Sequence, residues 1–254
     1  FWEVSQSKPC LWETQANPQI WDFWFSAVAS CWQLSMIRRI SRIQKQRRFH
    51  PQKRYRLMPN VLIIGHYAKD AQESMGRYGR MLETGFLQAN WSVKTLVPPV
   101  RFGKLSIKSS GLGKWLGYLD KFVLFPIQIK RQIRSLQKDG SPYLICLPDH
   151  SHGIYLHWLK REPHVVHCHD LLAIRSALGE IPENRTGWTG RIYQKLILSG
   201  LRKGRNFISG SHATDRDLRT LIGTNLESGE TRRFHVAWNG LNYPFHPIKT
   251  EALS

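Results

Sequence analysis

Short apolar runs and helical patterns alternate about six times between Val61 and Trp238, and that alternation leaves the chain few architectures to choose from. Val61-Leu-Ile-Ile-Gly65 is a continuous apolar run closed by glycine, as a strand buried on both faces requires. Further strands are predicted over residues 93–97, 143–147, 164–168, 206–208 and 234–238. Between the first two lies a helical pattern over 74–89, with Tyr78, Leu82, Phe86 and Ala89 on one face. Other helical stretches fall at 116–136, 153–160, from 171, at 190–202 and at 213–221. Pro126 is expected to kink or break the first of these, 116–136. Such alternation predicts a doubly wound α/β domain, Rossmann-like, around a mainly parallel sheet.

Ligands of such sheets bind beyond the carboxyl ends of the strands, where strand order reverses. The positions to inspect are therefore His66 and its successors, Asp149-His150, His169-Asp170, the segment 209–211 and Asn239-Gly240. The first connection carries Gly65, Gly76 and Gly79 without the tight G-x-G-x-x-G of a dinucleotide site, and no acid is placed for a ribose. A phosphate loop of the G-x-x-x-x-G-K-[ST] type is absent as well. Gly76 and Arg77, at a helix start, can bring backbone N–H groups to a phosphate, or serve only packing.

The fourth strand end is richer. Alternation puts His167 and His169 on one side of the strand and Cys168 on the other. Zinc would need further ligands, such as His150 or His152, and no metal site is expected. His167 reads as a core histidine. His169, at the tip beside Asp170, is the candidate for proton exchange with a ligand hydroxyl. Ser209 and Ser211 offer donors to an anion, although Ser211 is also a natural helix N-cap. Asn239-Gly240 reads as a tight turn.

Charge narrows the partners. The 254 residues hold 37 Lys and Arg against 18 acids, a net charge of +19, which predicts an anionic partner. Residues 1–57 differ from the rest. They hold five of the ten tryptophans and, from Arg38 to Arg56, nine bases with no acid. That segment is expected to be a poorly packed extension, with residues 58–249 forming the domain and 250–254 a linker. The bases suit phosphates or an anionic membrane. The four cysteines form no C-x-x-C pair and suit reduced, cytoplasmic thiols. No run of about 18 apolar residues is available to span a bilayer.

Three segments together resemble glycosyltransferase family 4: Val165-Val-His-Cys-His-Asp-Leu-Leu-Ala-Ile-Arg175, Phe207-Ile-Ser-Gly-Ser211 with Thr214 and Leu218, and Val236-Ala-Trp-Asn-Gly-Leu-Asn242 with Phe245 and Pro247. The resemblance covers residues 58–249 and corresponds to the acceptor-side domain of that family's two-domain GT-B architecture. It implies a hexosyltransferase, retaining as most members are, moving sugar from a nucleotide sugar to a sugar or lipid-linked acceptor without metal or cofactor. It further implies Gly76 and its neighbours near the donor phosphate, His169 lining the reaction centre with Asp170 beside it, and Asn239-Gly240 leading to the second domain. Where the family often has paired glycines, this chain has Met75-Gly76. The family's donor-binding residues would follow Ser254, so the chain alone is expected not to complete a transfer. Two other readings compete: a nucleic-acid binder using Arg38 to Arg56, for which no RNP, zinc-finger or helix-turn-helix signature is present, and a non-catalytic sugar- or lipid-binding module.

Overall fold

Six parallel strands form one sheet in the order β2-β1-β3-β4-β5-β6. The computed structural model describes residues 58–70, 72–105 and 112–238. The expected basic extension, the Asn239-Gly240 turn and the 250–254 linker lie outside these residues. The strands are β1 (Asn60–Ile64), β2 (Ser92–Leu96), β3 (Tyr143–Leu147), β4 (His164–Cys168), β5 (Asn206–Ser209) and β6 (Arg233–Val236). The helices are α1 (Glu73–Gln88), α2 (Leu112–Leu119), α3 (Phe125–Lys138), α4 (Leu156–Leu159), α5 (Leu172–Leu178), α6 (Trp188–Leu201) and α7 (His212–Ile222). This is the doubly wound, Rossmann-like α/β fold that the alternation predicts.

Alternate residues of each central strand enter two cores. Val61, Ile63, Leu144, Cys146 and Val165 pack against Tyr78, Leu82 and Phe86 of α1 on one face. Leu62, Ile64, Ile145, Leu147 and Val166 pack on the other face, against Phe125 and Ile129 of α3, Ile197 and Leu201 of α6, and Leu218 of α7. Both faces of β1, β3 and β4 are thus covered, which is why these strands read as unbroken apolar runs. Chain order reverses between β1 and β3, which are neighbours although β2 intervenes in sequence. The crevice of the fold therefore opens beyond Ile64 and Leu147.

Pro126 does not break the 116–136 pattern as expected. A π-helical turn, Asp120–Leu124, joins α2 to α3, and Pro126 falls in the first turn of α3, where a missing N–H is tolerated. The same turn buries the Asp120 carboxylate completely. Its oxygens accept the backbone N–H groups of Arg101, Phe102 and Gly103 at 2.9–3.1 Å and the Tyr67 hydroxyl at 3.0 Å. Burial alone would raise this carboxyl, but these donors hold it below its ordinary value. The connection after β1, the loop after β2 and the π turn are thereby tied together. Gly103 is required there, because a Cβ at that position would lie 2.0 Å from the Tyr67 hydroxyl oxygen.

Candidate functional site at the β1–β3 crevice

The 3₁₀ segment after β3, His150–Tyr155, carries two of the site's histidines. It is seated on α6 by backbone contact: a Cβ on Gly200 would lie 2.1 Å from the Gly153 carbonyl oxygen. Asp149, the residue before it, is buried and forms the hub of the site. Its Oδ2 lies 3.4 Å from Nε2 of His66, in the connection after β1, and accepts the Ser151 hydroxyl, and its Oδ1 lies 2.9 Å from His150 Nδ1. Burial would raise the Asp149 carboxyl, yet His150 and His66 hold it well below the usual carboxylate range. Burial pushes the His150 imidazole down, and the Asp149 carboxylate overrides this to leave a net upward shift. His152 lies with its ring centroid 4.2 Å from that of His66 and is driven well down, chiefly by burial and further by the neighbouring His66 ring.

His167 and His169 share a side of β4, as alternation predicts. His169 Nε2 is 3.1 Å from the Pro148 carbonyl oxygen and 3.1 Å from His167 Nδ1. A carbonyl only accepts, so Nε2 of His169 carries the proton and His167 Nδ1 accepts. The proton of His167 then lies on its own Nε2, which is buried with no hydrogen-bond partner among the described residues. Tyr78 of α1 holds the pair in place, stacked on His167 at 4.8 Å and edge-on to His169 at 4.5 Å. Burial lowers both imidazoles, His167 much further than His169. At neutral pH His169 is therefore uncharged and its Nδ1 bears a lone pair.

A cleft of about 470 Å³ gathers Gln72, Glu73, Ser74 and Met75 at the start of α1, Asp149 and His150 after β3, and His169 and Asp170 after β4. His169 and Asp170 are thus where the sequence places them. Asp170 also accepts the Leu172 N–H at 3.1 Å, which starts α5. Four other expectations shift. The cleft is lined one turn ahead of Gly76 and Arg77, because α1 begins at Glu73 and the Gly76 N–H already bonds the Gln72 carbonyl at 3.0 Å. The Gly76 amide is therefore committed to the helix. Ser209 is the last residue of β5, one position beyond the expected strand end, and is fully buried. Ser211 caps α7, accepting the Thr214 N–H at 3.1 Å. Neither serine lines the cleft.

The chemistry of the wall is unlike that of the whole chain. Three carboxylates (Glu73, Asp149, Asp170) and two imidazoles face the cleft, and its lining among the described residues includes no Lys or Arg. Such a wall repels phosphate and suits hydroxyl groups, which donate to carboxylate and neutral imidazole. Asp149 and His66 are the members that sequence reasoning left without a role. Strand-end position was the only signal for them, since their pairing spans 83 residues. No group of three or more His, Cys, Asp or Glu able to hold a metal ion occurs among the described residues.

No family model matches the chain, and no curated protein matches it. Among solved structures it is similar to a Glycyrrhiza uralensis UDP-glycosyltransferase complexed with glycyrrhetinic acid 3-O-monoglucuronide, at 11% identity and a TM-score of 0.36. That match covers 66% of this chain and 47% of the plant enzyme's, so the chain spans about half of that structure's length.

Proposed function

We propose that residues 58–238 belong to the acceptor-side half of a family 4-type GT-B glycosyltransferase, which moves a sugar from a nucleotide sugar to a hydroxyl-bearing acceptor. The observation that carries this reading is the acidic, imidazole-lined cleft at the β1–β3 crevice, inside a chain of net charge +19. Its carboxylates and the neutral His169 accept hydrogen bonds from sugar hydroxyls, while His150, shifted upward, donates. Two imidazoles shifted in opposite directions on one wall give the site both a proton acceptor and a proton donor. Asp149 orients His150 and stabilises its cationic form. The diphosphate of the donor finds no cation on this wall, so a second, donor-binding domain holds it in this reading.

The division of labour is directly testable. Titrated with oligosaccharides and with nucleoside diphosphates, the chain should bind the former through the cleft, and His169→Ala should weaken that binding. By itself it should turn over no nucleotide sugar, because transition-state binding needs both walls. Measurable turnover by the chain alone, or tighter cleft binding of a diphosphate than of sugars, would overturn the assignment.

A further inference from the structure

The helices on the outer layer present a surface that neither the core nor the cleft uses. Leu119, Val123 and Ile127 follow one another at i, i+4 spacing across α2, the π turn and the start of α3, and all three are exposed. Trp188, Ile192 and Leu196 form a second row of the same spacing on α6, with Trp188 72% and Ile192 52% exposed. The opposite sides of α3 and α6 lie in the core through Phe125, Ile129, Ile197 and Leu201, so both rows point away from the sheet. Tyr193 of α6 stacks on Tyr118 at 6.2 Å and meets Phe122 at 5.9 Å, which joins the two rows through an aromatic seam.

The exposed charges carried by these helices are all cationic; the acid that reaches the face from outside them, Asp70, is paired with Lys121 of the π turn at 2.6 Å. Lys130 and Arg134 continue the row of Val123 and Ile127 at helical spacing, and both are exposed. Arg191 and Lys195, also exposed, border Ile192 and Leu196 on the side away from Tyr193. The only acid between residues 112 and 138 is Asp120, which is buried, and α6 contains none. An exposed tryptophan, aliphatic rows and a border of cations whose one neighbouring acid, Asp70, is already neutralised by Lys121 are the make-up of a surface that lies in a lipid headgroup layer. A protein partner offers no comparable reason for a rim of lysine, a residue depleted at protein interfaces.

We propose that the outer face of α2, the π turn, α3 and α6 docks peripherally on an anionic lipid bilayer, with Val123 and Ile192 entering the headgroup boundary and Lys130, Arg134, Arg191 and Lys195 facing anionic headgroups. No described helix is long and apolar enough to cross the membrane, so the contact is superficial. Helices that lead into parallel strands run antiparallel to them, so the apolar rows, at the helix starts, lie towards the strand ends where the cleft opens. The docking face stands on exposure and charge and does not depend on the sugar-transfer reading.

The test is co-sedimentation of the full chain with phosphatidylcholine–phosphatidylglycerol vesicles and with pure phosphatidylcholine vesicles. Tight binding is expected to the mixed vesicles and weak binding to the neutral ones. The double variant Val123→Asp/Ile192→Asp should lower partitioning about tenfold or more with an unchanged melting temperature. Lys130→Glu/Lys195→Glu should weaken binding to the mixed vesicles only. Neutralising the Arg38 to Arg56 run separates its share, and the aspartate variant should still lose binding in that background. Wild-type binding by the aspartate variant, or no binding by the full chain, overturns the proposal. So does a dimer in light scattering that the aspartate variant dissolves, because the face would then belong to a second copy.

Discussion

The two ends of β4 hold the same residue type in opposite conditions. At the entering end, His164 donates from Nδ1 to the Glu162 carbonyl at 2.8 Å and accepts the Arg205 N–H at Nε2 at 3.0 Å. Its own carbonyl accepts from Asn206 Nδ2 at 2.8 Å. Both ring nitrogens are used, the tautomer is fixed, and burial drives the imidazole down to about 4. At the leaving end, three residues on, His167 keeps a buried Nε2 without a partner among the described residues, and His169 is half-buried at the cleft. A buried polar atom left unpaired inside a fold calls for an explanation, and a ligand-bearing edge supplies one. Histidine as such is therefore no mark of a site. At His167 the fold leaves a ring nitrogen unused beside the cleft, whereas at His164 it uses both.

The largest expected effect tests the leaving end. In a protein carrying both glycosyltransferase halves, His169→Ala should lower turnover on the order of 10²-fold while the melting temperature hardly moves. His164→Ala should leave turnover per folded molecule unchanged. Equal activity losses at the two positions would erase the contrast. Next in size is the stability loss at the entering end. His164→Ala strands the Arg205 N–H and the Glu162 carbonyl in the interior, which should cost about 3–4 kcal/mol in denaturant unfolding. A loss below about 1 kcal/mol would show that water takes over both groups.

The acid limb of stability sharpens the same point. The folded state binds a proton at His164 only near pH 4, whereas the unfolded chain binds one near its ordinary value of 6.5. Stability from this group is thus full above about pH 6.5 and is lost as pH falls towards 4, by roughly 2–3 kcal/mol in all. The denaturation midpoint should fall across that window, and His164→Gln should flatten the slope. An unchanged slope would assign the acid sensitivity to the cleft histidines instead. The smallest effect concerns Ser211, which lies at the ligand-bearing edge yet serves the fold. Ser211→Ala should cost about 1 kcal/mol through the lost cap and leave turnover intact. A clear loss of activity there would return Ser211 to the site.

The sheet was legible because its central strands are buried on both faces. The runs at 143–147 and 164–168 coincide with β3 and β4 to the residue, since apolar sequence and strand end together. At β5 the polar Ser209 belongs to the strand, and an apolar run stops one residue short of it. Strand-end position alone put His169 and Asp170 at the edge where the cleft lies. The hub was not legible: Asp149 acquires its meaning from His66, which becomes a neighbour only once β1 and β3 pair. Asp120 was hidden for a different reason. A carboxylate between basic and aromatic neighbours reads as solvated, and only the folded loop after β2 brings three N–H groups to it.

The π turn also acts as a phase shifter. Its closing bond runs from the Phe125 N–H to the Asp120 carbonyl, five residues back rather than four. One residue of helix corresponds to about 100° of rotation. Tyr118 before the turn and Phe122 within it are angled towards α6; downstream, Phe125, Ile129 and Ile133 are angled into the sheet. Deleting one residue from 120–124 would mend the hydrogen-bond ladder and spoil the protein. Every downstream side chain would swing by about 100°, taking the three core residues out of the sheet and Lys130 and Arg134 off the outer face. A single surplus amino acid thus sets which way the following fourteen-residue helix looks.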